Sequence, residues 1–267
     1  MNGEHAGIAM PEMAQTAVDE LNQISGEKKV RWQRFACQET LDYLSTLRAR
    51  VKDVDGFWPF TLRVQMSHPL FKKMCTSSSD QHALSYLSDV ELKQDSKDPR
   101  PFELVFHFKK NPYFTNLSLS KKYGLPSLQP PAPADGSITQ QMIDFDPDTY
   151  EITGTTIEWT SDDKDLVARY PRERPQRPVD GQDDDDEFEG DIGSFFHFFT
   201  QEGDPLQIGL LLTDDILPDA FDYFTGKAES AAGVDYDSED ELDEEGGDDE
   251  EEIDLEEEEP ARKRRKA

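Results

Sequence analysis

Cysteine and long apolar runs are scarce in this 267-residue chain. Its two cysteines, Cys37 and Cys75, are too few and too far apart for a disulfide framework or a thiolate metal site, which predicts a reducing, intracellular compartment. No apolar run approaches the ~20 residues that a membrane helix requires, and residues 1–10 lack the basic and apolar regions of a secretory signal. We therefore expect neither a membrane partner nor secretion.

Catalytic motifs are lacking as well. The five histidines are scattered, and the sequence contains no glycine-rich phosphate loop and no Ser/His or Cys/His motif. Asp144, Asp146 and Asp148 resemble the start of a calcium loop, but Thr149 and Thr155 occupy the positions that such a loop gives to glycine and glutamate. The sequence predicts no enzyme activity, no cofactor and no metal.

Basic residues are outnumbered, with 28 Lys and Arg against 58 Asp and Glu and a net charge of −30. The tract 235–259 contains 18 acids and no base, and residues 1–234 still carry a net charge of −17. Such a surface repels polyanions, which excludes nucleic acid as the principal partner and favours a basic macromolecule. A solubilising tail is the alternative, but a further acidic run at 183–191 favours recognition of a basic protein.

The last residues reverse this charge. An exposed basic cluster is typical of signals that import receptors bind, so the sequence predicts a nuclear protein. A charged end that only aids solubility is the alternative. The cluster consists of Arg262, Lys263, Arg264, Arg265 and Lys266.

Residues 11–53 predict one long helix, because they contain no proline after Pro11 and only the glycine Gly26. About 40 residues at ~1.5 Å each form a rod of ~60 Å, longer than a small domain is wide. A partner helix, and hence a homodimer, would cover its apolar stripe. The alternative is a helix that lies across a large intramolecular core. We assign the dimer seam to Leu21, Ile24, Val30, Cys37, Leu44, Leu47 and Val51.

After the helix, the spacing of apolar residues changes to two. Alternating phenylalanine and leucine in Phe102–Phe108 predict a half-buried strand, with further strands around Val90, Leu117 and Ile152–Trp159. Short connections predict a four-stranded antiparallel sheet packed on helices, which is an α+β fold.

The domain boundaries follow from composition. The folded domain is expected over 54–226, and the acidic tail, 227–261, is expected to be disordered, as are residues 1–10. Within the domain, the proline-rich loop 124–140 and the charged loop 169–192 are also predicted to be disordered. The four phenylalanines and one histidine of 195–199 are assigned to the core, because exposed aromatics in such a run would aggregate.

Several motifs together resemble the nucleosome assembly protein/SET family, and they occur in the family's order over roughly residues 15–225. The motifs are Phe57-Trp58, His68-Pro69, Leu84–Leu87, Val90-Glu91, Phe102–Phe108, Asn111–Phe114, Leu119–Tyr123, Thr156–Trp159, Ser194–Thr200 and Asp214–Ile216 with Pro218. The resemblance implies an earmuff-like domain beneath a dimerising helix. The small size and the basic-ended tail look most like the small fungal SET-like member that is associated with a histone acetyltransferase.

The resemblance also implies a function: an ATP-independent histone chaperone that binds core histones and promotes nucleosome assembly. The alternative is a regulatory or scaffold subunit that presents histones to a histone acetyltransferase. On the domain, we assign histone binding to Glu158, Asp214, Asp215, Asp219 and Asp222. In the tail, we assign it to Asp243, Glu244, Glu245, Asp248, Asp249 and Glu250.

Overall fold

A computed structural model describes residues 13–64, 77–172 and 193–228 of the protein. All of them belong to the first of two units, Met1–Ala232. The His68-Pro69 motif, Cys75, the acidic tract with its six assigned carboxylates, and the basic cluster lie outside the described residues, as do residues 1–10 and 173–192.

One long helix and several short ones pack around a single sheet in the described part of the chain. The helices are α1 (Gln15–Val51), α2 (Phe57–Val64), α3 (Ser78–Leu84), α4 (Gln140–Ile143), α5 (Leu166–Arg169), α6 (His197–Thr200), α7 (Ile208–Leu211) and α8 (Ala220–Thr225). The strands are β1 (Leu87–Asp95), β2 (Asp98–Phe108), β3 (Ser118–Gly124) and β4 (Glu151–Thr153). Two 3₁₀ turns, Pro147–Thr149 and Asp162–Lys164, and a π turn, Leu212–Ile216, complete the set.

The sheet is an antiparallel meander in the order β1-β2-β3-β4, which confirms the predicted fold class. The fourth strand is shorter than predicted, because the chain leaves β3 at Gly154. A Cβ atom at Gly154 would lie only 1.8 Å from the carbonyl oxygen of Phe199, so the backbone approaches α6 there. Trp159, at the end of the predicted strand, instead forms an isolated bridge with Phe114.

The core lies between β2 and the aromatic run that contains α6. Leu104 and Phe106 are fully buried on one face of β2, as the alternating pattern predicts. The Phe106 ring packs edge-to-face on Phe199, with ring centroids 5.1 Å apart. Phe195 and Phe196 are also fully buried, so the assignment of this run to the core is confirmed.

Helix α1 packs along the sheet, and this corrects most of the predicted dimer seam. Leu44 and Leu47 belong to the protomer's own core together with Trp58. Val30 and Cys37 are buried as well, while Val51 is partly buried against the same core. These side chains already have intramolecular partners, so they cannot form the seam. Of the seven assigned residues, the two that the structure leaves exposed are Leu21 and Ile24.

Polar contacts fix the register of α1 on the sheet. The Arg48 guanidinium binds the Asp89 carboxylate on β1 through both Nε and Nη2, with Nε–oxygen distances of 3.0 Å. Nearer the start of the helix, the Cys37 thiol donates to Oε1 of Gln94 at 3.2 Å, and burial raises the pKa of this thiol to about 11. Since Asp89 precedes Gln94 on β1, the helix runs antiparallel to that strand.

The predicted disorder of loop 124–140 is wrong, because polar contacts anchor this loop at several points. The Arg34 guanidinium donates to the carbonyl of Gly136 at 2.6 Å, and the Ala132 N–H donates to the Asp98 carboxylate at 2.8 Å. Ser127 is bound through both its N–H and its hydroxyl to the carboxylate of Glu151, at 3.0 Å each. A proline-rich loop can be ordered when neighbouring side chains satisfy its backbone groups.

The buried position of Leu44 generates a test. The substitution Leu44→Asp should lower the free energy of unfolding by about 3 kcal/mol or more, because it places an unpaired carboxylate in the domain core. Urea denaturation followed by circular dichroism measures this loss. The neighbouring Ser45 is exposed, so Ser45→Asp should change stability by less than about 0.5 kcal/mol. Equal stability of the two variants would contradict the inward orientation of Leu44.

Candidate acidic binding surface

Four of the predicted carboxylates lie on the helical segment that ends the described chain. Asp214 and Asp215 stand in the π turn, whereas Asp219 and Asp222 stand at the start of α8. Gly226 ends α8 in the left-handed conformation, with φ at 71°, which glycine adopts without strain. The sequence thus brings these four side chains together on one short stretch of backbone.

Two tyrosines hold this segment in place. The Tyr223 hydroxyl donates to the Asp215 carboxylate at 2.7 Å. The Tyr43 hydroxyl of α1 accepts a hydrogen bond from the Phe221 N–H at 3.1 Å, which ties α8 to the long helix. Burial raises the pKa of Tyr43, and the charges of Asp222 and Asp219 add to this rise, so both carboxylates lie close to α1. Sequence reasoning missed both tyrosines, because their contacts depend on the tertiary fold.

The acidic side chains of α8 repel one another. Partial burial raises the pKa of Asp219, and the negative charges of Asp222 and Asp215 raise it further. Asp219 and Asp222 are nevertheless exposed to solvent. Their charges therefore act on each other and on any approaching cation.

Asp214 is surrounded by more protein than Asp219 is. Part of the residue is open to solvent, yet the protein packed around its carboxyl group removes enough water to raise the pKa. The Thr213 hydroxyl donates to this carboxylate at 3.1 Å. The charge of Asp214 also raises the pKa of Tyr150, after the larger effect of burial on that phenol. The Tyr150 hydroxyl donates to the carbonyl of Arg100, which is near the start of β2. Asp214 is close enough to Tyr150 to affect its pKa, so Asp214 also lies near the start of β2.

Glu158 lies apart from the other four. Its carboxylate accepts a hydrogen bond from the Thr115 hydroxyl at 2.8 Å, and it precedes Trp159, which pairs with Phe114. Phe114 contacts Phe108 at the end of β2, with ring centroids 5.0 Å apart. Glu158 and Asp214 therefore stand near opposite ends of β2, and Glu158 does not belong to the cluster.

None of the four clustered aspartates forms an ion pair with a lysine or arginine among the residues that the structure describes. The ion pairs of this part of the chain lie elsewhere, for example between Arg48 and Asp89 and between Arg100 and Asp98. We call the stretch 214–222, with its four aspartates, the acidic segment. Asp215 and Asp222 act on Asp219, whereas Asp214 lies nearer Tyr150. Carboxylates without cations are suited to bind lysine and arginine side chains.

Exposed apolar side chains border the acidic segment, a feature that sequence reasoning missed. Phe221 of α8 and Phe60 of α2 are both nearly half exposed. The Phe60 ring packs edge-to-face on Phe224, with centroids 5.4 Å apart. This combination of carboxylates with aromatic rings differs from a simple solvated polar face.

Two other kinds of site are lacking in the described ranges. No group of three His, Cys, Asp or Glu side chains there is placed to hold a metal ion. None of the described helices combines the length and apolar character that crossing a membrane requires. The acidic segment is thus the main candidate site in this part of the protein.

Comparison with known proteins identifies the family. The family model "Nucleosome assembly protein (NAP)" matches residues 12–227, and the chain belongs to this family. Nucleosome assembly protein 1;2 of Oryza sativa subsp. indica is 28% identical over 214 residues, which cover 72% of this chain and 52% of that protein. Nucleosome assembly protein 1;3 of Nicotiana tabacum is 32% identical, with 66% and 46% covered. The chain spans about half the length of these curated relatives.

Solved structures share the fold at low sequence identity. The crystal structure of Ccp1 aligns with a TM-score of 0.52 and 17% identity, covering 81% of this chain and 97% of that one. Nucleosome assembly protein S from Plasmodium falciparum aligns with a TM-score of 0.50 and 16% identity, covering 79% and 95%. Both similarities support the predicted long helix followed by a four-stranded sheet with helices.

Mutual repulsion within the acidic segment predicts a stability change with a definite pH dependence. A carboxyl group whose pKa is higher in the folded than in the unfolded state destabilises the fold once the pH lies above both values. Asp219→Asn should therefore raise the free energy of unfolding at pH 7, by less than about 1 kcal/mol because the site is exposed. The gain should disappear as the pH falls below the ordinary aspartate pKa.

Thermal unfolding at pH 7 and at about pH 3 measures this difference. Asp53→Asn is the matched control, because Asp53 is exposed and has only a distant Lys52 ammonium 4.0 Å away. A loss of stability in Asp219→Asn at pH 7 would contradict the repulsion.

Proposed function

We propose that the protein is a nuclear histone chaperone that binds core histones and promotes nucleosome assembly without ATP. The proposal is carried by one observation, the four carboxylates of the acidic segment that lack a cation among the described residues. Membership of the nucleosome assembly protein family supports it. The charge of −30 over the whole sequence supports a basic partner and disfavours direct binding to nucleic acid.

Charge competition explains how such a protein would act. Histones contact DNA through lysine and arginine, and direct mixing of the two polyelectrolytes gives aggregates. Carboxylates that bind the same side chains with intermediate affinity would hold the histone until DNA displaces them. This exchange requires no covalent step, so it needs neither a catalytic residue nor a cofactor.

The roles of the tail and of the basic cluster are proposed from the sequence alone. The 18 acids within 235–259, including the six assigned above, would capture histones through a long-range field. The basic cluster 262–266 would bind an import receptor. A role in presenting histones to a histone acetyltransferase, as in the small fungal SET-like member, is the second candidate and uses the same acidic surfaces.

A homodimer is also proposed, with a seam on the outer face of α1. This face carries four large apolar side chains, each more than half exposed. They are Leu21, Ile24, Trp32 and Phe35, and Met13 just before the helix is exposed as well. At about 100° per residue, Leu21 points roughly 180° away from the buried Val30, so the outer stripe is distinct from the inner one. Apolar exposure of this kind marks an interface.

Charges beside the stripe favour an antiparallel arrangement of the two copies. In an antiparallel pair centred on Phe35, Lys28 would stand opposite Asp42 and Arg31 opposite Glu39, once on each side of the two-fold axis. All four charged side chains are exposed. A parallel arrangement would place like charges beside each other, which is unfavourable.

The histone proposal predicts different salt dependence for its two parts. Binding of a purified core histone dimer is measured by fluorescence anisotropy over a range of NaCl concentrations. Deletion of 228–261 should weaken binding most at low salt, because a tail acts through a field screened over ~8 Å at physiological ionic strength. Neutralising the acidic segment should instead weaken the histone binding that persists at high NaCl concentration, by about tenfold. The variant carries Asp214→Asn, Asp215→Asn, Asp219→Asn and Asp222→Asn.

A control with the same change in net charge separates geometry from total charge. Four exposed acids elsewhere are replaced by their amides in this control: Glu20, Asp53, Asp148 and Glu202. It should bind like the unmodified protein at high salt. If the unmodified protein does not bind histones at low salt, the chaperone proposal is wrong. If the two fourfold variants bind histones equally well, the acidic segment is not the histone-binding surface.

The dimer proposal predicts that Ile24→Asp yields a folded monomer. A carboxylate in the seam has no partner, so the dimer dissociation constant should rise by at least about 100-fold. Light scattering at micromolar concentration measures the mass. Lys28→Glu should weaken the dimer, and adding Asp42→Lys should restore it by reversing both partners of the pair. A monomeric unmodified protein would refute the dimer, while failure of the reversal would refute only the antiparallel register.

A further inference from the structure

A cavity of about 420 Å³ lies beside α1, between the long helix, the start of β2, the segment around Phe145 and the acidic segment. Ala36 and Thr40 of α1 form one wall, and Asp214 stands on another. Phe102 and Phe145 contribute apolar surface. The volume is within the range of about 300–1,000 Å³ that is typical of ligand sites.

One polar group in the lining has an unmet hydrogen-bonding requirement. Arg100 is only 6% exposed, and its Nε and Nη2 donate to the Asp98 carboxylate at 2.7 and 2.8 Å. Nη2 also donates to the carbonyl of Pro130 at 3.0 Å. Nη1 is buried and has no acceptor. A buried donor without an acceptor is costly, so a ligand that offers a carbonyl oxygen would be favoured here.

The second polar group of the lining is the Asp214 carboxylate, which requires a cation where Arg100 requires an acceptor. This carboxylate is bound by the Thr213 hydroxyl, and it forms no ion pair within the part of the chain that the structure describes. A carboxylate that has lost part of its solvent gains most from a cation. Lys29 also lines the cavity, but it forms no ion pair with Asp214, and Asp98 neutralises Arg100, so the Asp214 carboxylate is still without a cation.

From this combination we infer that the cavity binds a short polypeptide segment that carries an apolar side chain next to a lysine or arginine. The apolar side chain would pack against the Phe145 side of the cavity, since the Tyr150 ring already packs on both Phe102 and Phe145. A backbone carbonyl would accept from Arg100, and the cation would reach Asp214. A free anion would leave Asp214 without a partner, and the acidic tail of this chain would be repelled by it. The inference rests on the proposed function, since the histone is the basic partner that supplies this segment.

Filling the cavity tests the inference. Ala36→Phe places a ring in the cavity, and it should weaken binding of a purified core histone dimer by about tenfold at ~0.5 M NaCl, where the field of the tail is screened within about 4 Å. Ser45→Phe is the matched control, because Ser45 is exposed on the same helix, does not line the cavity and lies outside the outer apolar stripe. It should bind like the unmodified protein.

A second pair of variants tests the inference even if Ala36→Phe does not fold. Asp214→Asn should weaken binding at the same salt concentration, whereas Asp53→Asn should not. Circular dichroism and light scattering are recorded for every variant. If Ala36→Phe unfolds the protein, Thr40→Phe fills the cavity in its place. Weaker binding by both Asp214→Asn and Thr40→Phe would then support the inference, and unchanged binding by either would overturn it.

Three further outcomes would overturn the inference, and they are distinguishable. Binding by folded Ala36→Phe equal to that of the unmodified protein would show that the cavity is not used. Conversion of folded Ala36→Phe to a monomer would assign the cavity to the second copy of the chain. Failure of the unmodified protein to bind histones at low salt would instead remove the proposed function on which the inference rests.

Discussion

Burial of an aromatic run against β2 is the interaction on which the rest of the structure depends. Phe195, Phe196, Phe198 and Phe199 are at most 2% exposed, and each contributes roughly 1.5–3 kcal/mol through removal of apolar surface from water. This core stabilises a domain whose surface carries unpaired, mutually repelling carboxylates. The acidic segment can therefore remain without cations, because stability comes from apolar burial and the surface charge is left available for a partner.

Helix α1 carries two apolar stripes, and the sequence alone did not separate them. Val30, Cys37 and Leu44 recur every seven residues, a spacing that both a coiled coil and a helix lying on a sheet require. The stripe packs within the protomer because Leu44 and Leu47 join the domain core, while nearer the start of the helix Gly26 lies against Ile143 of α4. The shift in phase near Gly26 was the available signal, since Leu21 and Val30 are nine residues apart and so point in opposite directions.

Local patterns predicted the sheet well, because alternation and short connections are properties of neighbouring residues. Contacts between distant residues account for the errors. The end of β4 depends on the approach of Gly154 to Phe199, and the order of loop 124–140 depends on Arg34 and Asp98, which composition does not reveal. The grouping of the four aspartates was predictable from their spacing. Their link to α1 through Tyr43 was not, and neither was the separate position of Glu158, since both follow from tertiary packing.

The geometry of the domain and the composition of the tail impose different demands on a partner. A tract of 18 acids in 25 residues attracts any polycation and gives no direction, and its effect weakens as salt screens it. The acidic segment holds its carboxylates on a backbone that Tyr223 and Tyr43 fix, so it can distinguish partners by the positions of their cations. In the proposed function, the tail would capture a partner rapidly and the acidic segment would orient it. A partner could then be released from the acidic segment without first escaping the tail, which is what the proposed transfer of histones to DNA would require.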